Sequence, residues 1–413
     1  MKISYFKWGA MSRRQKKVFT WWTEKSKYAD YNGIICDGAI RSGKTVSMAF
    51  SFVLWAMSNF ERENFAMCGK TIASFRRNVL GTLKMQLKAR GYTVTEKRTE
   101  NLIVISKGSK ANLFYIFGGK DESSQNLIQG MTLAGVLLDE VALMPESFVN
   151  QATARCSVTG SKFWFNCNPE GPQHWFYLNW ILKCRKRKLL YLHFTMEDNL
   201  TLSPKIKARY RSQYVGVFFD RYIRGLWCQA DGLIYPFFDA KKCCGGDVEG
   251  DEYYISVDYG TLNPCSMGLW AVDYGKETAT RIREFYYDGR KKGRQLTDSE
   301  YYEHLEELAG DLDIECVIVD PSAASFIAEI RKHGRFDVRK GNNDVIDGIR
   351  LTGSLLKNGN LRIATRCKNA IKEFQSYTWD SKSVEKDKPR KENDHAMDDT
   401  RYFCNTILKF LEW

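Results

Sequence analysis

Residues 33–50 read GIICDGAIRSGKTVSMAF, and the reading of this stretch decides the fold of the N-terminal half. A short apolar run, 33–37, leads into Gly38-Ala-Ile-Arg-Ser-Gly43-Lys44-Thr45, which matches G-x-x-x-x-G-K-[ST] at every defined position. An apolar helical stretch, 44–60, follows it, so the motif has the strand before and the helix after that its chemistry needs. Gly38, Ser42 and Gly43 shape a loop whose backbone wraps phosphates, and the next helix turns its first N–H groups toward them. The spacing assigns Lys44 to the β- and γ-phosphates and the Thr45 hydroxyl to Mg²⁺. Arg41, a basic side chain inside this loop, either stabilises charge on a transferring phosphoryl group or points to solvent. Gln15, upstream in Arg13-Arg14-Gln15, lies where an adenine-reading amide could sit; an ordinary surface glutamine is the other reading.

Moving outward, apolar runs at 65–68, 102–106, 113–117, 134–138 and 162–166 read as strands, and 71–90 reads as a helix. Strands alternating with amphipathic helices imply an α/β fold built on a mostly parallel sheet. The run 134–138 ends in Asp139-Glu140, placing two carboxylates at the mouth of that sheet. Alone they would be ordinary surface acids. Beside a phosphate loop, Asp139 is expected to hold the Mg²⁺ shell and Glu140 to activate the attacking water. The run 162–166 leads into Cys167-Asn168-Pro169, where an amide could sense the γ-phosphate or its water.

From 198 to 227 the pattern turns helical and polar, an acidic loop follows at 247–252, and a second series of strands opens at 253. The expected organisation is a nucleotide-binding core over 1–195, a helical linker or lid over 196–228 and a second domain over 229–413. In that second domain three acids stand out by context. Asp258 lies near the end of a strand in Tyr-Tyr-Ile-Ser-Val-Asp-Tyr-Gly, and Asp320 ends Cys-Val-Ile-Val-Asp-Pro. Asp398 lies in Asp394-His395-Ala-Met-Asp398-Asp399, which opens a helix. Two strand-borne carboxylates and one helix-borne carboxylate form the acidic cluster of ribonuclease-H-like nucleases, where two divalent ions activate water at a phosphodiester. Hard oxygen ligands suit Mg²⁺ or Mn²⁺. His395 and Asp398 are three apart and share a helix side, so both could face one metal. Helical phase does not separate Asp398 from Asp399.

The 413 residues carry 62 Lys+Arg against 49 Asp+Glu, a net +13 that suits a polyanionic partner. With 44% hydrophobic residues the chain has ample core material, which excludes a mainly disordered protein. The longest uncharged stretch, 45–60, is too short to span a bilayer, and no export signal is visible near Met1. Twelve cysteines without a C-x-x-C pair argue against zinc and for a reducing cytoplasm; the vicinal Cys243-Cys244 has no clear role. The tryptophans at 21, 22, 164, 175 and 180 read as packing.

Taken together these residues resemble the large terminase subunit of tailed bacteriophages over nearly the whole chain. GAIRSGKT, LLDE, FNCNPEGPQHWF (165–176), MEDNLTL (196–202), RYIRGLW (221–227), GLIYPFF (232–238), VDYG, VDPS and DHAMD occur in the family's order and spacing. The resemblance implies an ATPase driving double-stranded DNA into an empty capsid, joined to a ribonuclease-H-like nuclease that cuts the concatemer. It implies ATP and Mg²⁺ for the motor and two Mg²⁺ or Mn²⁺ ions for the nuclease. By the same resemblance Lys44, Thr45, Asp139 and Glu140 carry ATP hydrolysis, and 166–168 couple it to movement. Arg41 looks like the arginine such proteins carry in this loop, acting within its own subunit or on a neighbour. Asp258, Asp320 and Asp398 look like the nuclease carboxylates, with His395 adjacent; DHxxD favours Asp398 over Asp399. The implied partners are DNA, a small terminase subunit and a portal protein that docks a homo-oligomeric ring, in the host cytoplasm and away from membranes.

Basic runs at 183–188, at 290–292 with Arg294, and at 382–391 are candidate contacts to the DNA backbone; each read alone is a solvated face. The competing readings are a translocase or helicase whose C-terminal domain only binds nucleic acid, and a non-catalytic basic DNA- or capsid-binding protein.

Overall fold

Every position of Gly33–Gly38 (β1) is buried, as suits a strand covered on both faces, Asp37 being the one charged residue among small and apolar ones. The structure, a computed structural model, describes residues 9–246, 248–261, 263–380, 383, 387–411 and 413. Asp247 of the acidic loop, Lys382 of the last basic run and residues 1–8 lie outside that set. The chain separates into two compact units, one of residues up to 211 with 219–229, the other of 212–218 with 230–413.

In the first unit β1 is followed by Asn64–Gly69 (β2), Thr93–Lys97 (β3), Leu102–Lys107 (β4), Lys110–Gly118 (β5), Gly135–Asp139 (β6), Lys162–Asn166 (β7) and Leu189–Phe194 (β8). They form one sheet in the order β3-β4-β5-β2-β6-β7-β1-β8. From β5 to β8 all pairings are parallel, and β3 and β4 add antiparallel strands at one edge. β1 lies between β7 and β8, so the loop leaving it emerges at the carboxyl ends of parallel strands, where α/β sheets bind ligands. The helix Lys44–Asn59 packs Phe52 and Trp55 against Phe65, Phe114 and Trp164, a dry aromatic core under the site.

The stretch expected as one helix over 71–90 is three pieces: helix Ile72–Phe75, a π-turn over Arg76–Leu80, and helix Gly81–Lys88. Phe75, Val79, Leu80, Leu83 and Leu87 are the buried apolar positions along these three pieces.

The second unit holds Cys244–Gly245 (β9), Glu252–Asp258 (β10), Cys265–Asp273 (β11), Thr278–Tyr287 (β12), Ile314–Val319 (β13), Val338–Lys340 (β14) and Leu361–Ala364 (β15). Their order is β14-β13-β10-β11-β12-β15-β9. The sheet is mixed: β10, β11 and β12 run antiparallel, while β13 pairs with β10 in parallel. The helix His395–Thr406 covers the sheet, with Phe403 stacked on Trp270 at 4.4 Å between centroids. Among the described residues no helix is long and apolar enough to cross a membrane.

Candidate functional site

Two groups of polar residues meet at strand ends, one in each unit. In the first, Gly38 and Gly43 both take positive φ, +117° and +83°, so the loop depends on residues without a Cβ. A Cβ at Gly43 would also stand 2.5 Å from Gln15 Nε2. Gln15 is buried, and its Oε1 accepts from the Ser12 N–H at 2.9 Å, closing the capping box of helix Arg13–Thr20. The surface-glutamine alternative therefore fails: this amide lies against the phosphate loop.

Lys44 is buried and donates to the carbonyls of Gly38 (3.0 Å) and Ala39 (2.7 Å) and to Asn168 Oδ1 (3.2 Å). Burial lowers its pKa to about 8, against the pull of nearby anionic groups including Asp37 and Asp139. Thr45 Oγ1 donates to Asp139 Oδ1 at 3.3 Å, and Asn166 Nδ2 donates to both Thr45 Oγ1 (2.9 Å) and Asp139. β6 and β7 are adjacent and pair Asp139 with Asn166 directly, which brings both side chains to the loop. Burial, and then the Glu140 charge, push the Asp139 carboxyl up to about 6; burial also raises Glu140. Glu140 itself sits in the left-handed region at φ +57°, a sparsely populated conformation that turns its side chain off the strand line. Asn166 Oδ1 is buried and, among the described residues, finds no donor, as suits an oxygen facing a water of a Mg²⁺ shell.

Arg41 is exposed, and its guanidinium lies 5.3 Å from the Tyr210 ring centroid. Its carbonyl accepts from Asn199 Nδ2 at 2.8 Å, tying the MEDNLTL segment to the loop.

A buttress beneath the loop has no signature in the sequence. Asp37, fully buried, accepts from Tyr191 Oη (3.0 Å) and Trp227 Nε1 (2.7 Å), and His193 Nδ1 lies 3.0 Å from its other oxygen. The Ile40 N–H donates to the Tyr222 carbonyl and the Ala39 N–H to that of Phe194. RYIRGLW thus straps the loop from outside. Gly225 has φ +76°, and a Cβ there would stand 2.9 Å from Ala39 N and 2.8 Å from the His193 ring. Gly225→Ala is expected to cost about 2 kcal/mol through strain and overpacking. It should appear as a lower denaturant midpoint and weaker nucleotide binding in equilibrium titrations. An unchanged midpoint would remove any role of the strap in shaping this loop.

In the second unit Asp258, Asp320, His395 and Asp398 line one cavity of about 890 Å³, with Asn343, Lys391, Asp394 and Arg401. Asp258 closes β10, and Asp320 follows the neighbouring β13, so parallel pairing sets the two side by side. His395 Nδ1 is 2.8 Å from Asp258 Oδ2. Burial, chiefly, and the charges of Asp398 and Asp399 push the Asp258 carboxyl up to about 6, against the His395 contact. His395 loses to burial but gains more from the Asp258 hydrogen bond and nearby carboxylates, so its pKa is raised. Ser322 N–H donates to Asp320 Oδ1 at 2.9 Å.

Asp398 and Asp399 part ways completely. Asp398 faces the cavity, with Arg401 on Oδ1 (2.9 Å) and Lys391 on Oδ2 (3.0 Å). Asp399 is fully buried beneath, accepting from Arg281, Ser256 and Ser266. Glu373, which sequence reasoning misses, is buried and accepts from the Ala396 N–H (2.7 Å) and Tyr286 Oη (2.8 Å). It caps the start of the helix that carries His395 and Asp398, and burial pushes it up to about 7. Among the described residues no three His, Cys, Asp or Glu side chains converge tightly enough to enclose a metal ion.

Some members of the basic runs have local partners. Lys183 donates to Asn179 and Arg187 stacks on Trp180, while Lys291 pairs with Asp288 and Arg294 with Glu300. Cys243 and Cys244 are both free thiols.

Residues 35–242 match the family described as terminase large subunit, T4likevirus-type, N-terminal. The chain is similar to the large terminase of a thermophilic bacteriophage, with 52% identity and a TM-score of 0.90 over 97% of this chain and 100% of that one. Structures of that phage protein with ADP (51% identity, TM-score 0.86) and with ATP-γ-S (50%, 0.85) match over the same shares. No curated protein matches the chain.

Proposed function

Because the chain belongs to the large terminase subunits, DNA-packaging ATPases that carry a nuclease, we propose which of its residues perform each activity. The observation that carries the reading is the coexistence, in one chain, of a complete phosphate loop and a cavity lined by Asp258, Asp320 and Asp398.

ATP binds at the loop Gly38–Thr45, as the nucleotide complexes of the thermophilic phage protein support. Lys44 neutralises the phosphates, and its present bonds to loop carbonyls are those it would exchange for phosphate oxygens. Thr45 and Asp139, oriented by Asn166, would hold the Mg²⁺ that screens the phosphate charge. Glu140 takes the proton of the attacking water, and its burial makes it a stronger base than an exposed glutamate. Gln15 reads the base, and Arg41 stabilises phosphoryl charge once it leaves Tyr210.

For the nuclease, Asp258, Asp320 and Asp398 supply hard oxygens that fit Mg²⁺ or Mn²⁺, with His395 orienting Asp258. Bound ions would supply Lewis-acid activation and a nucleophilic water at the phosphodiester. We assign the ATPase to 1–195, a linker or lid to 196–228 and the nuclease to 229–413. The partners are a small terminase subunit that selects the site and a portal on which the subunits form a ring, in the host cytoplasm.

The test is direct. Purified protein is incubated with supercoiled plasmid and Mg²⁺ or Mn²⁺, and nicked and linear products are expected that EDTA abolishes. Folded protein that hydrolyses ATP yet never cuts would favour the translocase with a non-cleaving C-terminal domain.

A further inference from the structure

Both oxygens of Asp398 are held by cations of the chain itself, and the two cations differ in kind. Arg401 is buried, donates to Asp398 Oδ1 from Nη2 (2.9 Å) and Nε (3.3 Å), and also donates to Asn343 Oδ1 at 3.0 Å. Its aliphatic stem presses on Gly348 so closely that a Cβ there would overlap it. Arg401 is therefore a fixture of the helix. Lys391 has a side chain 67% exposed, and its ammonium is 3.0 Å from Asp398 Oδ2 and 3.1 Å from Asp394 Oδ2. A primary ammonium on a flexible, solvated stem is the exchangeable member of the pair.

An ammonium between two carboxylate oxygens takes the position, the charge and the hard ligands that a divalent ion seeks. Both Asp398 oxygens are thus already paired with cations of the chain, Oδ1 with Arg401 and Oδ2 with Lys391. We propose that Lys391 is a resident competitor of the divalent ion at Asp398, keeping that carboxylate paired while metal is absent and leaving it when metal binds. The inference rests on the assignment of Asp258, Asp320 and Asp398 as metal-holding residues. It makes Lys391 a residue that sets metal affinity, with Arg401 holding Asp398 in place throughout.

The experiment is a Mn²⁺ titration of the full chain without nucleotide or DNA, following free Mn²⁺ by electron paramagnetic resonance. Binding lost in Asp258→Asn defines the nuclease site. Lys391→Met and Lys391→Gln should each bind Mn²⁺ there on the order of two- to fivefold more tightly than wild type, a size set by a partly exposed charge interaction. Lys391→Arg should stay near wild type. Thermal midpoints close to wild type show that the variants are folded, and agreement of the two neutral variants guards against an accident of either side chain. Affinity unchanged or weakened in both, with Asp258-dependent binding present, would overturn the competitor and leave the nuclease reading standing. Absence of any Asp258-dependent binding in wild type and variants alike would overturn the metal assignment and this inference with it.

Discussion

Lys44→Ala is expected to lower ATP turnover by about 10²- to 10³-fold, the loss that follows removal of one preorganised group facing developing charge. The size follows from its surroundings. The ammonium is buried, and the groups it now touches are loop carbonyls, Ser42 and Asn168, none of them a cation that could replace it at the phosphates. The variant should fold, because alanine is a good helix former at the first position of Lys44–Asn59. Phosphate release from ATP measures the effect, and metal-dependent plasmid cleavage by the same preparation should persist. Turnover at the wild-type rate would end the assignment of this loop as the motor's nucleotide site.

How far the two sites are legible in the sequence differs for a physical reason. The phosphate loop is local: its glycines, lysine and threonine are fixed in spacing by the backbone wrap, so eight consecutive residues announce it. Asp139 and Glu140 are legible as the end of a buried strand. The buttress is not, because Asp37, Tyr191, His193 and Trp227 meet only once β1 and β8 are neighbours. β8 itself is masked by the basic run that abuts it, and β3 by the polar character of TVTEK, an edge strand. In the second unit context picks out the acids, yet helical phase does not choose between Asp398 and Asp399. Packing chooses: Asp399 lies where Arg281 answers it inside the sheet, and Asp398 projects into the cavity. The Asp398–Arg401 pair, three apart on a helix, is in principle readable. Lys391 reads only as part of a basic face, and nothing local says that its ammonium reaches Asp398.

Asp258→Asn and Asp320→Asn are each expected to reduce Mn²⁺-dependent plasmid cleavage by roughly 10³-fold or more, as loss of an ion's anionic ligand removes several kcal/mol of transition-state stabilisation. ATP hydrolysis should stay near wild type in both. Asparagine keeps the shape of each carboxylate and can still accept from His395 or from the Ser322 N–H, so the change is one of charge. The two positions differ in a way that makes the pair decisive. Asp258 is buried at the end of β10 and paired with His395, whereas Asp320 is half-buried and held at one oxygen by a turn N–H. A purely structural role would therefore injure Asp258→Asn more, visible as a lowered thermal midpoint, and spare Asp320→Asn. Equal loss of cleavage with unchanged midpoints requires a function that both carboxylates share, and the cavity they share is where such a function can reside. Cleavage surviving in either variant would remove that residue from the catalytic set.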